Sequence, residues 1–141
     1  MTDQEIDAYC DRWAYWCFTR KYFAPPVQSN ILARLQPRRV ATSEPDAELD
    51  PQMPFFNMAV HGLCEEGMHD VEAICFAGVY WYSTNIKVLA TEQKISRGTV
   101  YNRARRFAER ARMLSKTIRR IHTMSLTECS IPVEQNSCAG Y

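Results

Sequence analysis

The chain has 141 residues, of which 46% are apolar and 23% charged, and its formal net charge is +1. These proportions exclude a disordered or low-complexity chain, and the length predicts one domain that buries about two-thirds of its unfolded surface. No stretch approaches the roughly 20 apolar residues that span a bilayer, so no membrane partner is expected. The acidic amino terminus lacks the pattern of a secretory signal, which predicts a cytoplasmic protein whose cysteines are reduced thiols.

Charge is distributed unevenly along this sequence. Residues 1–86 carry 6 basic and 12 acidic side chains, whereas residues 87–120 carry 11 basic and 2 acidic ones. A solvated helix face usually alternates the sign of its charges, but Glu109 is the single acid among nine basic residues between Arg97 and Arg120. The bias predicts a polyanion partner for the basic segment and a different partner for the acidic half.

Helical spacing of apolar residues runs through the first half. Thr2 and Glu5 match a capping box, and the repeat that follows them predicts an amphipathic helix over 3–20. Proline-rich residues 37–54 predict an exposed loop. The other elements expected here are a short helix that begins at Ser29 and ends at Pro37, a helix from Pro51 or Pro54 to Gly67, and a helix from His69 to about Tyr80.

The second half has the spacing of a helix-turn-helix. Ser83 is expected to cap a helix over 84–93, and Ser96 to cap the helix that follows. With Ile86 as the first position of the motif, small or apolar residues fall where its mini-core requires them, at Ala90, Ile95 and Val100. Two positions depart from the common pattern: Lys94 stands where glycine is usual, and Arg103 where an apolar residue is usual.

The second helix of this motif extends well beyond it. Apolar residues continue at spacings of four and three, which predicts a basic helix of about 25 residues with one buried stripe. The residues of this stripe are Val100, Ala104, Phe107, Ala111, Leu114, Ile118 and Ile121. The expected fold is therefore all-α: a compact helical domain over 1–122, whose helix-turn-helix at 84–112 continues into the long basic helix, and a loosely ordered tail over 123–141.

The exposed side of the second helix predicts contacts with double-stranded DNA. Arginine can bind guanine and asparagine can bind adenine through paired hydrogen bonds, so Arg97 and Asn102 are expected at base edges. Thr99 and Tyr101 are expected to contact phosphates or a thymine methyl group. The basic residues farther along the helix, from Arg110 to Arg120, are expected to contact phosphates, RNA or an acidic protein surface. The DNA-binding residues predicted on this side are Arg97, Thr99, Tyr101, Asn102, Arg103, Arg105 and Arg106, and the family resemblance given next adds Ser96.

The run AICFAGVYWYSTNIKVLATEQKISRGTVYNRARRFAERARML resembles region 4 of sigma factors and, more closely, the Q-type antitermination proteins of lambdoid phages, of the phage-21 class. The helix with Trp13 and Trp16 and the acidic loop also suit that class. The resemblance implies a protein of the bacterial host cytoplasm that binds DNA near a phage late promoter. It further implies loading onto RNA polymerase paused with its sigma factor, and a modified polymerase that reads through terminators. A second copy of the chain on DNA is a further expected partner.

Other readings of the sequence stay open beside this one. A conventional helix-turn-helix repressor or activator would use the same DNA-binding residues, and a protein inhibitor would use the basic helix against an acidic partner surface. No catalytic residue, cofactor or metal is predicted, because phosphate loops and nucleophile motifs are absent. The group His61, Cys64, His69 and Cys75 offers only a weak zinc alternative to ordinary buried cysteines.

Overall fold

The computed structural model describes residues 2–20, 22, 24–27, 51–82 and 84–130, and every regular element within them is helical. The all-α prediction is therefore confirmed for these residues, none of whose helices is long and apolar enough to cross a membrane. The helices are α1 (Asp3–Thr19), α2 (Met53–Glu66), α3 (Asp70–Phe76), α4 (Ile86–Gln93) and α5 (Arg97–Ser130). A π-helical turn, Ala77–Trp81, continues α3.

Helix α5 is the axis of the fold, and the other four helices pack along it. An aromatic cluster fills the space between them. The Trp13 ring lies 5.2 Å from Phe76 and 5.4 Å from Trp81, and Phe76 lies 4.8 Å from Phe107. These rings join α1, α3 and α5 in one apolar core, which gives the basic helix a fixed position in the domain.

The predicted ends of α1 and α2 agree with the structure. The Thr2 hydroxyl accepts from the Glu5 amide at 3.2 Å, and the Thr2 amide donates to the Glu5 carboxylate at 2.9 Å, so the capping box is confirmed. Gly67 ends α2 with a left-handed backbone, φ 77°. The predicted helix after Ser29 and most of the loop over 37–54 lie outside the described residues.

The helix predicted from His69 to Tyr80 changes character at its end. Residues 70–76 are α-helical, but the Tyr82 amide bonds to the Ala77 carbonyl, a wider i→i−5 turn. Tyr80 and Trp81, which are adjacent in this turn, are both buried, with 3% and 6% exposure.

Helix α5 is longer than its apolar stripe predicts. Val100, Phe107 and Ala111 are fully buried, Ile118 is half-buried, and Ile121 is 57% exposed. The helix nevertheless continues to Ser130, so the first eight residues of the predicted tail are helical and the expected length of about 25 residues is wrong. The buried stripe marks only the part of the helix that packs against the core. Backbone hydrogen bonds continue the helix beyond that part. Residues 131–141 lie outside the described part of the chain.

Candidate nucleic-acid interface

The connection between α4 and α5 is a tight turn closed by backbone hydrogen bonds. The Ile95 amide donates to the Ala90 carbonyl at 3.0 Å, and the Lys94 amide donates to the Thr91 carbonyl at 3.2 Å. This pair of bonds is the Schellman arrangement that ends many helices. Lys94 takes the left-handed conformation, φ 58° and ψ 42°, so lysine performs the role usual for glycine at some cost in backbone strain.

Both helices of this pair have side-chain caps at their amino ends. The Asn85 side chain accepts from the Lys87 amide at 3.0 Å, so α4 begins at Ile86 rather than at the predicted Thr84. Ser83, the predicted cap, lies outside the described residues. The Ser96 hydroxyl accepts from the Thr99 amide at 3.1 Å, which confirms the predicted cap of α5. The hydroxyl groups of Ser96 and Thr99 are also 2.7 Å apart, so each already has a partner.

The amino-terminal turns of α5 present polar groups to solvent, and we call residues 96–102 the amino end. Arg97 and Asn102 are exposed and make no ion pair or side-chain hydrogen bond with the described residues. A Cβ atom added at Gly98 would meet nothing closer than the Ser96 hydroxyl at 4.0 Å. The fold therefore does not require glycine at this position, and another molecule can approach the backbone closely.

Arg105 is held by the first helix of the domain. Its guanidinium donates to both carboxylate oxygens of Asp7, at 3.0 and 3.2 Å, and also lies 3.5 Å from Asp3. The Tyr80 hydroxyl donates to the same Asp7 carboxylate. Burial tends to raise the pKa of Asp7, but the hydrogen bonds from Arg105 and Tyr80 outweigh it and leave that pKa below its ordinary value. This network joins α1, the π-helical turn and α5.

A second acid holds two more arginines of α5. Glu72 lies 3.1 Å from Arg110 and 3.6 Å from Arg106, and its side chain is only 14% exposed. Arg106 remains 61% exposed, so its outer surface still faces solvent. The arginines at 105, 106 and 110, which we call the tethered arginines, therefore pair with acids of the first half of the chain. The charge division seen in the sequence is partly neutralised inside the domain.

The structure thus divides the eight predicted DNA-binding residues. Four lie together at the exposed amino end: Ser96, Arg97, Thr99 and Asn102. Tyr101 is 37% exposed, and the Cζ atom of Arg105 lies over its ring, 5.5 Å from the ring centroid. Arg103 is half-buried. Arg105 pairs with acids of α1, and Arg106 lies beside Glu72 while it stays 61% exposed. Sequence reasoning missed these partners because even the shorter of the two separations, from Glu72 to Arg106, is 34 positions.

The described cysteines are structural. Cys10, Cys17, Cys64 and Cys75 are buried, and burial raises the pKa of the Cys17 and Cys64 thiols to about 12. Burial also raises the pKa of Cys75 to about 11, although nearby Arg103 opposes the change. Within the described ranges, no three His, Cys, Asp or Glu side chains are grouped to hold a metal ion.

No family model matches this sequence, and comparisons with curated proteins and with solved structures give no match either.

Proposed function

We propose that the protein is a phage late-gene transcription antitermination factor that binds double-stranded DNA through a helix-turn-helix formed by α4 and α5. In this proposal α4 is the scaffold helix and the amino end of α5 lies in the major groove. The bound protein then loads onto RNA polymerase paused with its sigma factor, in the cytoplasm of the bacterial host. It acts by binding and catalyses no reaction.

The observation that carries the DNA-binding part is the open amino end of α5. A short, hydrogen-bonded turn fixes α4 against α5, with Leu89 and Val100 fully buried between them and the core. Arg97 and Asn102, which suit guanine and adenine, have no competing partners among the described residues. A rigid helix terminus with unpaired base-reading side chains is what recognition in the major groove requires.

Antitermination, rather than DNA binding alone, is supported by the sequence of residues 73–114, which resembles the Q-type proteins of lambdoid phages. Glu65 and Glu66 are exposed at the end of α2, next to the left-handed Gly67, where a partner protein can reach them. We assign the contact with polymerase, or with a second copy of the protein on DNA, to the acidic half of the chain.

Footprinting on the phage's own late-promoter region, with and without RNA polymerase, tests the proposal. Purified protein should protect one short DNA element, and transcription reactions that contain it should yield transcripts that extend past a terminator. Asn102→Ala should reduce affinity for that element by about 1–3 kcal/mol and leave affinity for random DNA nearly unchanged. Arg120→Ala is a matched control, because Arg120 is exposed on the same helix but about 27 Å from Asn102.

The same experiment separates the alternatives. A conventional repressor or activator would protect DNA and change the rate of initiation without lengthening transcripts. A protein inhibitor whose basic helix binds an acidic surface would give no specific footprint. Either result would contradict the antitermination proposal.

A further inference from the structure

A small cavity lies far from the amino end of α5, between α1, the first turn of α2 and the second half of α5. Its volume is about 120 Å³. Tyr9, Gln52 and Phe55 form one side, and Arg112, Lys116 and Arg119 form the other. The buried Ser115 also lines the cavity, and its hydroxyl donates to the Arg112 carbonyl at 2.6 Å.

Three cations converge on this cavity, and among the described residues no acidic side chain lines it. Arg112 has a distant ion pair with Glu109, at 4.0 Å, whereas Lys116 and Arg119 have none with the described residues. Positions 112, 116 and 119 share one helix face, where like charges repel each other and destabilise the helix. An anion between them would remove that cost, and the partial positive charge at the amino end of α2 adds to the attraction.

We propose that this cavity binds a phosphate group, either of a free nucleotide or of a nucleic-acid strand. The Arg112 and Arg119 guanidinium groups and the Lys116 ammonium group would donate charge-assisted hydrogen bonds to the phosphate oxygens. Phe55 lines the cavity, and the centroid of its ring lies 5.5 Å from that of His122. The two rings offer an aromatic surface for a base attached to the phosphate, which favours a nucleotide unit over a simple carboxylate.

This site is separate from the proposed duplex interface. Lys116 lies 14 residues beyond Asn102, or about 21 Å along the helix axis. A major groove that receives the amino end of α5 therefore does not reach the cavity. The phosphate site goes beyond the proposed function and does not depend on it.

Isothermal titration calorimetry with the full chain in a phosphate-free buffer tests the site. The probes are inorganic phosphate, adenosine monophosphate and an oligouridylate without terminal phosphates. Arg119→Gln should weaken binding of the accepted probe about tenfold, because it removes one charge-assisted contact. Arg120→Gln removes the same charge from the adjacent exposed position and should change affinity by less than about twofold. Circular dichroism of both variants should match the parent, since neither side chain is buried.

The pattern across the probes identifies the source of the phosphate. Binding of inorganic phosphate and adenosine monophosphate, without binding of the oligouridylate, indicates a free nucleotide. Tighter binding of the oligouridylate indicates a nucleic-acid strand. Either result supports the site if Arg119→Gln weakens the binding and Arg120→Gln does not. Failure of all three probes would overturn the proposal. Equal losses in Arg119→Gln and Arg120→Gln would also overturn it, because they would indicate diffuse attraction to a basic helix.

Two further measurements distinguish this site from the duplex interface. Asn102→Ala should bind the phosphate probe as the parent does, and Arg119→Gln should retain its affinity for the late-promoter duplex. If Arg119→Gln loses duplex and phosphate affinity by the same factor, the cavity is part of one continuous nucleic-acid surface and not a separate site. If the parent binds phosphate but no specific duplex, the duplex proposal fails while this one stands.

Discussion

The amino end of α5 and the turns that follow it contain the same basic residue type in different settings. Arg97 is exposed and has no described partner, whereas Arg105 and Arg110 lie 3.0 and 3.1 Å from carboxylates of α1 and α3. About two helical turns separate Arg97 from Arg105, and between three and four separate it from Arg110. The comparison teaches that a basic run in a sequence contains two kinds of arginine, one that assembles the domain and one available to a ligand, and that only the folded structure separates them.

The middle of α5 should account for most of its contribution to stability. Phe107→Ala removes a fully buried ring that contacts Phe76, and should lower the free energy of unfolding by about 3–5 kcal/mol. Phe107→Leu keeps most of the volume and should cost about 1 kcal/mol, which keeps the test informative if the alanine variant does not fold. Urea denaturation measures both, with exposed Asn102→Ala as the unchanged control. Similar loss in Asn102→Ala would abolish the distinction between the two regions.

Tethering of Arg105 can be measured through its partner. Asp7→Asn removes a carboxylate that accepts from both Arg105 and Tyr80, and should lower the free energy of unfolding by about 1–2 kcal/mol at pH 7, a value reduced for its partial exposure. Asp3→Asn, at the exposed and longer 3.5 Å contact, is the matched control and should change stability by less than about 0.5 kcal/mol.

The difference in stability between the parent protein and Asp7→Asn should depend on pH. Because the pKa of Asp7 is lower in the folded state than in the unfolded chain, its carboxylate stabilises the fold above the unfolded pKa. That stabilisation disappears as the pH falls through the lowered folded value. The stability difference between the parent and Asp7→Asn should therefore be largest near pH 7 and shrink below about pH 4. A difference that stays constant down to pH 3 would show that the pKa of Asp7 is the same in the folded and unfolded chain, which would contradict stabilisation of its carboxylate by Arg105 and Tyr80.

The smallest effect is expected in the turn before the amino end. Lys94→Gly relieves a left-handed backbone but adds freedom to the unfolded chain, so the net gain in the free energy of unfolding should be about 0.5–1 kcal/mol. Lys87→Gly, in the right-handed first turn of α4, should instead destabilise by a similar amount. Thermal denaturation compares the two. Loss of stability in Lys94→Gly would mean that the lysine side chain makes a stabilising contact in this turn.

Local patterns explain why much of the fold was predictable. The Thr2–Glu5 capping box, the Ser96 cap and the Gly67 terminus each depend on residues within three or four positions, and all agree with the structure. The buried stripe of α5 was predictable as far as Ala111 because a single helix face has a fixed period.

The remaining features depend on contacts between distant segments. Asp7 and Arg105 are 98 positions apart, and no periodicity in either helix indicates that they meet. The cavity beside Arg112 is likewise formed by three elements, so the sequence indicates its charge but not its shape. The apolar spacing from His69 to Tyr80 predicts a regular helix and does not indicate the π-helical turn at 77–81.

Comparing the affinities of Arg97→Ala and Arg110→Ala for duplex DNA tests the central claim most directly. Both variants remove one arginine from α5, one at the open amino end and one among the tethered arginines. Arg97→Ala should lose about 1–3 kcal/mol of affinity for the late-promoter element and little for random DNA, whereas Arg110→Ala should bind both as the parent does. Equal losses in the two variants, or a larger loss in Arg110→Ala, would contradict recognition by the amino end of α5.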